Sequence, residues 1–140
     1  MKKNEIVNTC YKLPRVRSSF AAVSIQNLVY VCGGTDGKVL NSLEILDLTT
    51  NKWSKLASMS NKREEFGFVI GADNKLYAIG GFDGHKCLTE CERFDLISGS
   101  WENIAPLNIP RRALCTVSMP DGIYAIGGYD GEKYINSVER

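Results

Sequence analysis

The chain has 140 residues, 44% of them hydrophobic, and its 17 Lys and Arg against 16 Asp and Glu leave a formal charge of +1. That composition is typical of a soluble globular domain, and the even mixing of charge excludes the basic footprint of a nucleic-acid or anionic-membrane binder. The longest apolar-looking run, Phe66 to Ala72, is far short of the roughly 20 residues a membrane span needs, and the basic N-terminus has no apolar stretch behind it to make a signal peptide.

The first predicted strand follows Arg17. The second, Leu28-Val29-Tyr30-Val31-Cys32, runs into Gly33-Gly34 and then Thr35-Asp36-Gly37. A third is expected around Leu43-Glu44 and Asp47, and a fourth at Trp53. The same landmarks then recur in order: Arg63, Tyr77-Ala78-Ile79-Gly80-Gly81, Phe82-Asp83-Gly84, Cys91-Glu92, Asp95 and Trp101. They start a third time with Arg112, Tyr124-Ala125-Ile126-Gly127-Gly128, Tyr129-Asp130-Gly131 and Val138-Glu139. The diglycines are spaced 47 residues apart both times, and the three motifs hold 9 of the 13 glycines. Arg17, Arg63 and Arg112 precede their diglycines by 16, 17 and 15 residues.

None of the Tyr-bearing strands alternates apolar with polar residues, so both faces must be covered, and no segment beside them has a helical apolar period. Sheets must therefore cover sheets. The Asp-Gly turns and the Thr50-Asn51-Lys52 and Ser98-Gly99-Ser100 segments join neighbouring strands as antiparallel hairpins. Radial repetition of four-stranded antiparallel sheets describes a β-propeller.

The ordered set Arg, apolar strand, Tyr-x-x-Gly-Gly, Asp-Gly, Glu-x-x-Asp and Trp resembles the kelch repeat over nearly the whole chain. The expected fold is all-β: an incomplete kelch-type propeller of about three four-stranded blades, with the last truncated. Residues 15–60, 61–109 and 110–140 form the three repeats, and residues 1–14 stand where the last strand of a preceding blade would lie, with Val7 at its Trp position. Closed propellers have about 4–8 blades, so a fragment of a larger ring, or self-association that completes one, is expected.

Gly33, Gly34, Gly80, Gly81, Gly127, Gly128, Trp53 and Trp101 are read as structural, the diglycines serving close backbone approach near a crowded axis. Gly33 to Lys38 superficially resembles a phosphate-binding loop but lacks the required glycine at Cys32 and the hydroxyl residue at Val39. Glu44, Glu92 and Glu139 are expected to be partly buried and hydrogen-bonded within each blade. His85 is the only histidine. It lacks the orienting partner that catalysis needs, and neither it nor Cys87-x-x-x-Cys91 completes a metal site, so no cofactor, metal or enzymatic activity is expected. Five cysteines cannot all pair within one chain, which favours a reducing, cytoplasmic setting.

The resemblance implies that a partner protein binds on a face made by two loops of each blade. The loop into the Arg-bearing strand gives Arg17 and Ser18, Arg63 and Glu64, and Arg112 and Ala113. The loop after the diglycine gives Thr35, Phe82, His85 and Tyr129. The arginines suit an acidic or polar peptide segment because a guanidinium holds carboxylates bidentately. The aromatic pair Phe82 and Tyr129, exposed on loops, suits an interface. The resemblance further implies a substrate-recognition role in a cullin ubiquitin-ligase adaptor or, alternatively, an actin-binding scaffold.

Overall fold

A computed structural model describes residues 11–140, all-β with eleven strands and no helix among them. The first sheet comprises β1 (Ala21–Ile25), β2 (Leu28–Cys32), β3 (Leu43–Asp47) and β4 (Lys52–Leu56), in that order and antiparallel throughout. The second repeats it with β5 (Gly67–Ile70), β6 (Leu76–Ile79), β7 (Cys91–Asp95) and β8 (Ser100–Ile104). The third has three strands, β9 (Cys115–Met119), β10 (Gly122–Ile126) and the short β11 (Val138–Glu139). These are three antiparallel sheets of the blade type that the sequence repeat implies. Residues 1–10 of the expected preceding strand lie outside the described residues.

Blade stacks on blade through the first strands, with β1 beside β5 and β5 beside β9. The approach is close enough that a Cβ on Gly67 would sit 2.1 Å from the Thr116 side chain. Between the first two sheets lies the main core, with Tyr30, Cys32, Leu43, Met59, Phe66, Phe68, Leu76, Ala78 and Phe94 all buried. Trp101 tilts against Phe94 at a ring separation of 5.2 Å and donates its indole N–H to the Ala57 carbonyl, just past β4 of the neighbouring blade. The tryptophan thus pins blade to blade, its polar tip satisfied and its apolar body half-buried.

The first two diglycines are also inter-blade devices. A Cβ on Gly33 would lie 2.4 Å from the Arg63 carbonyl, and one on Gly80 would lie 2.7 Å from that of Arg111. Both glycines are in the left-handed region, at φ of 60° and 59°. The crowding that requires glycine therefore comes from the entry segment of the next blade. A main-chain strap crosses the same gap: Gly34 N–H donates to Arg63 O (2.8 Å) and Arg63 N–H to Leu40 O (2.9 Å). Gly81 donates to Arg111 O and Arg111 to Leu88 O in the following gap.

Candidate functional site

The repeated arginines divide into two kinds. Arg63 is wholly buried, donating to the carbonyls of Gly80 (2.8 Å) and Glu90 (2.6 Å) and pairing with Glu92 at 2.8 Å. Glu92, also wholly buried, accepts the main-chain N–H groups of Ser60 and Asn61 from the segment linking the blades. Arg17 repeats the arrangement, with its side chain buried against Gly33 O, Ser42 and Glu44. A buried charge is tolerable only when paired and hydrogen-bonded, and these side chains are committed to that inside the blade. The expectation for Glu44 and Glu92 describes their surroundings well.

In the third blade the residue in this position is Arg111, not Arg112. Arg111 is the buried one, reaching Gly127 O (2.9 Å), Ser137 and Glu139. It lies 16 residues before Gly127, whereas Arg112 lies 15, and strand alternation turns adjacent side chains to opposite sides. Glu139 closes the same clamp. Burial pushes its carboxyl up, but the N–H groups of Asn108 and Ile109 and the Arg111 guanidinium outweigh this and hold it below the usual value.

Arg112 instead matches Ser18 and Glu64. Each pairs across the loop face with the residue after its diglycine: Ser18 with Thr35, Glu64 with Phe82, Arg112 with Tyr129. A third residue closes each row, namely Val39, Cys87 and Tyr134. The rows thus run from small and neutral in the first blade to charged and aromatic in the second and third. Ser19, Glu65 and Ala113 follow at φ of 51°, 52° and 51°, a left-handed kink before each inner strand. Through these kinks Glu65 N–H donates to Ser19 O and Ala113 N–H to Glu65 O, tying one row to the next.

At the seam of the second and third blades, planar groups form a column. The Arg112 guanidinium lies 5.1 Å from the Phe82 ring centre and 5.2 Å from that of Tyr129, and Tyr134 tilts against Tyr129 at 5.2 Å. Tyr134 is 88% exposed. Glu65 stands 3.7 Å from Arg112 Nε, and among the described residues no acceptor takes a hydrogen bond from this guanidinium. Cation–π contact with two rings therefore orients the fork, with Glu65 beside it and its N–H groups making no hydrogen bond among the described residues. Glu64, beside Glu65 and partly buried, has its carboxyl pushed up by burial and then by its acidic neighbour, with Arg112 opposing.

His85 sits at an exposed turn where its N–H caps Asp83 at 2.7 Å. The aspartates of all three Asp-Gly turns act alike, Asp36 accepting from Lys38 N–H and Asp130 from those of Glu132 and Lys133. Among the described residues no group of three His, Cys, Asp or Glu is placed to hold a metal. Among the described residues no helix is long and apolar enough to cross a membrane.

Comparison with known proteins agrees with this architecture. A family model described as KLHDC2/KLHL20/DRC7 Kelch-repeats domain matches residues 2–128. The chain is 38% identical over 93 residues to Kelch-like protein 35 of Mus musculus, covering 65% of this chain and 15% of that protein. It is 36% identical over 90 residues to a kelch repeat and BTB domain-containing protein of Caenorhabditis elegans, covering 64% of this chain and 15% of the relative. Over 80 residues it is 42% identical to human Kelch-like protein 4, covering 57% of this chain and 11% of the relative. The chain therefore spans a small part, 11–15%, of the length of these relatives. Repeated Arg–Glu clamps, diglycine straps, the Trp101 pin and a family model spanning most of the sequence lead to one conclusion: the chain belongs to the kelch-repeat family.

Proposed function

We propose that the chain is a non-catalytic protein-interaction module that binds a partner segment on its loop face, at the seam where Phe82, Arg112, Tyr129 and Tyr134 stack. The observation that carries this reading is the contrast between rows. Ser18, Thr35 and Val39 offer little contact area, while the column at the second seam offers rigid aromatic surface and an oriented cation. Aromatic residues and arginine dominate binding energy at protein interfaces because they bury large area at small entropic cost. The guanidinium donors favour an acidic or polar peptide segment. Arg17 and Arg63 support the loops from inside the blade, and Ser18, Thr35, His85 and Ala113 form the periphery.

The BTB domain in the name of one relative supports placing such a module in the substrate-recognition arm of a cullin ubiquitin-ligase adaptor in the cytoplasm. Affinity capture from the source cell, comparing wild type with Arg112→Ala and Tyr129→Ala, tests this function. A specific partner retained by the wild type and lost from both variants, at unchanged melting temperature, is the expected result. Undiminished capture by both variants contradicts the assignment of the face, and co-sedimentation with actin filaments would replace the adaptor reading with a cytoskeletal one.

A further inference from the structure

The chain as a whole is close to neutral, but its charge is unevenly divided. Residues 61–109 hold 5 Lys and Arg against 8 Asp and Glu, while the rest of the chain holds 12 against 8. Most acids of this second repeat are already paired. Glu92 meets Arg63, Asp95 meets Lys75, Glu90 meets Lys86, and Asp73 and Glu102 both meet Arg93. Asp83 accepts the main-chain N–H groups of His85 and Lys86. Two carboxylates are left, Glu64 and Glu65, and both stand at the seam of the second and third blades. They share one guanidinium, that of Arg112, whose Nε lies 3.7 Å from Glu65. Among the described residues the Glu64 carboxylate takes neither a hydrogen bond nor an ion pair, and Lys62, exposed two positions earlier, pairs with no acid.

The main chain fixes where the Glu64 side chain stands. Glu64 and Phe82 exchange two hydrogen bonds of 2.9 Å, the N–H of each donating to the carbonyl of the other, as Arg112 and Tyr129 do in the next row. Residues paired in this way lie directly opposite on antiparallel backbone, about 5.5 Å apart at Cα, with their side chains on the same side. Glu64 therefore shares its side of the row with the Phe82 ring, and the Arg112 guanidinium lies 5.1 Å from the centre of that ring. A partly desolvated carboxylate beside an aromatic ring is a seat for a cation, since charge and ring quadrupole attract it together. Burial and then Glu65 push the Glu64 carboxyl up, with Arg112 opposing, so a cation arriving from outside relieves a charge that the chain leaves uncompensated. We propose, resting on the reading of this seam as the recognition face, that the bound segment carries a Lys or Arg next to its acidic residue, the base received by Glu64 against Phe82 and the acid by Arg112 against Tyr129. A purely acidic segment would bring its carboxylates against Glu64 and Glu65, and a purely basic one would meet Arg112, so the seam discriminates against both.

Panning a phage-displayed library of random dodecapeptides on the 140-residue chain tests this. Peptides enriched on the wild type are expected to carry a Lys or Arg within a few residues of an Asp or Glu. The same selection on Glu64→Gln is expected to keep the acid and lose the base, and on Arg112→Met to keep the base and lose the acid. A peptide selected on the wild type and measured by fluorescence anisotropy is expected to bind Glu64→Gln about 2–5-fold more weakly, the range of a partly exposed ion pair. Melting temperature is expected to stay unchanged in that variant, because the Glu64 carboxylate holds no partner among the described residues. Enriched peptides that carry acid without base, or base enrichment that survives Glu64→Gln, overturn the proposal while leaving the seam as a recognition face. Selection unaltered by Tyr129→Ala, or no enrichment on the wild type, overturns the seam itself and the proposal with it.

Discussion

Arg111 and Arg112 are adjacent in sequence and opposite in role. Arg111 points into the blade, wholly buried, and uses its guanidinium to bind Glu139 and the carbonyls of Gly127 and Ser137 together. Arg112 points to the loop face, 35% exposed, near the Phe82 and Tyr129 rings and beside Glu65. The first repeats in every blade, in Arg17 and Arg63; the second is replaced by Ser18 and Glu64. In a repeat protein the recurring residue builds the scaffold, and the variable residue beside it is where recognition resides.

The largest expected effect breaks the recurring side of this contrast. Arg63→Ala strands a buried Glu92 carboxylate and is expected to lower stability by about 3–5 kcal/mol, read as a fall in denaturant midpoint. Gly81→Ala forces a Cβ to 2.6 Å from that of Phe66 at a φ of 102°, and is expected to lower stability by roughly 2–3 kcal/mol in the same assay. Trp101→Phe keeps the packing on Phe94 but removes the donor to Ala57, which is expected to lower stability by about 1 kcal/mol.

The smallest effect concerns the turns. Hydrogen bonding from Lys75, then from the N–H groups of Ser98 and Ile97, lowers the Asp95 carboxyl from its ordinary 3.8 to about 2. A carboxyl depressed on folding adds stability that is fully present above its unfolded value and is lost as pH falls through the folded one. Melting temperature should therefore decline between about pH 4 and pH 2, and Asp95→Asn should flatten part of that slope. An unchanged slope in the variant would remove Asp95 from the account.

Blade count, strand order and the structural role of the diglycines were legible in the sequence because each blade repeats one spacing, and spacing is what a linear sequence displays directly. The proposed recognition face was only partly legible. The doublet Arg111-Arg112 offers two arginines one residue apart, and only the strand's inward and outward alternation separates them. Glu65 and Tyr134 carried no repeated signal. They reach the site through a left-handed kink and a cross-loop bridge, contacts between residues distant in the chain. Tyr134 could have been found by asking which residue pairs back across the Asp-Gly turn onto Tyr129.

The division between scaffold and recognition is tested most directly by calorimetric melting of Arg111→Met and Arg112→Met side by side. The account predicts that Arg111→Met melts about 10 °C or more below wild type, having lost a buried ion pair, while Arg112→Met stays within about 3 °C, since an exposed cation–π pair contributes only about 0.5–1 kcal/mol. Equal shifts in the two variants, or a larger one for Arg112→Met, would contradict it.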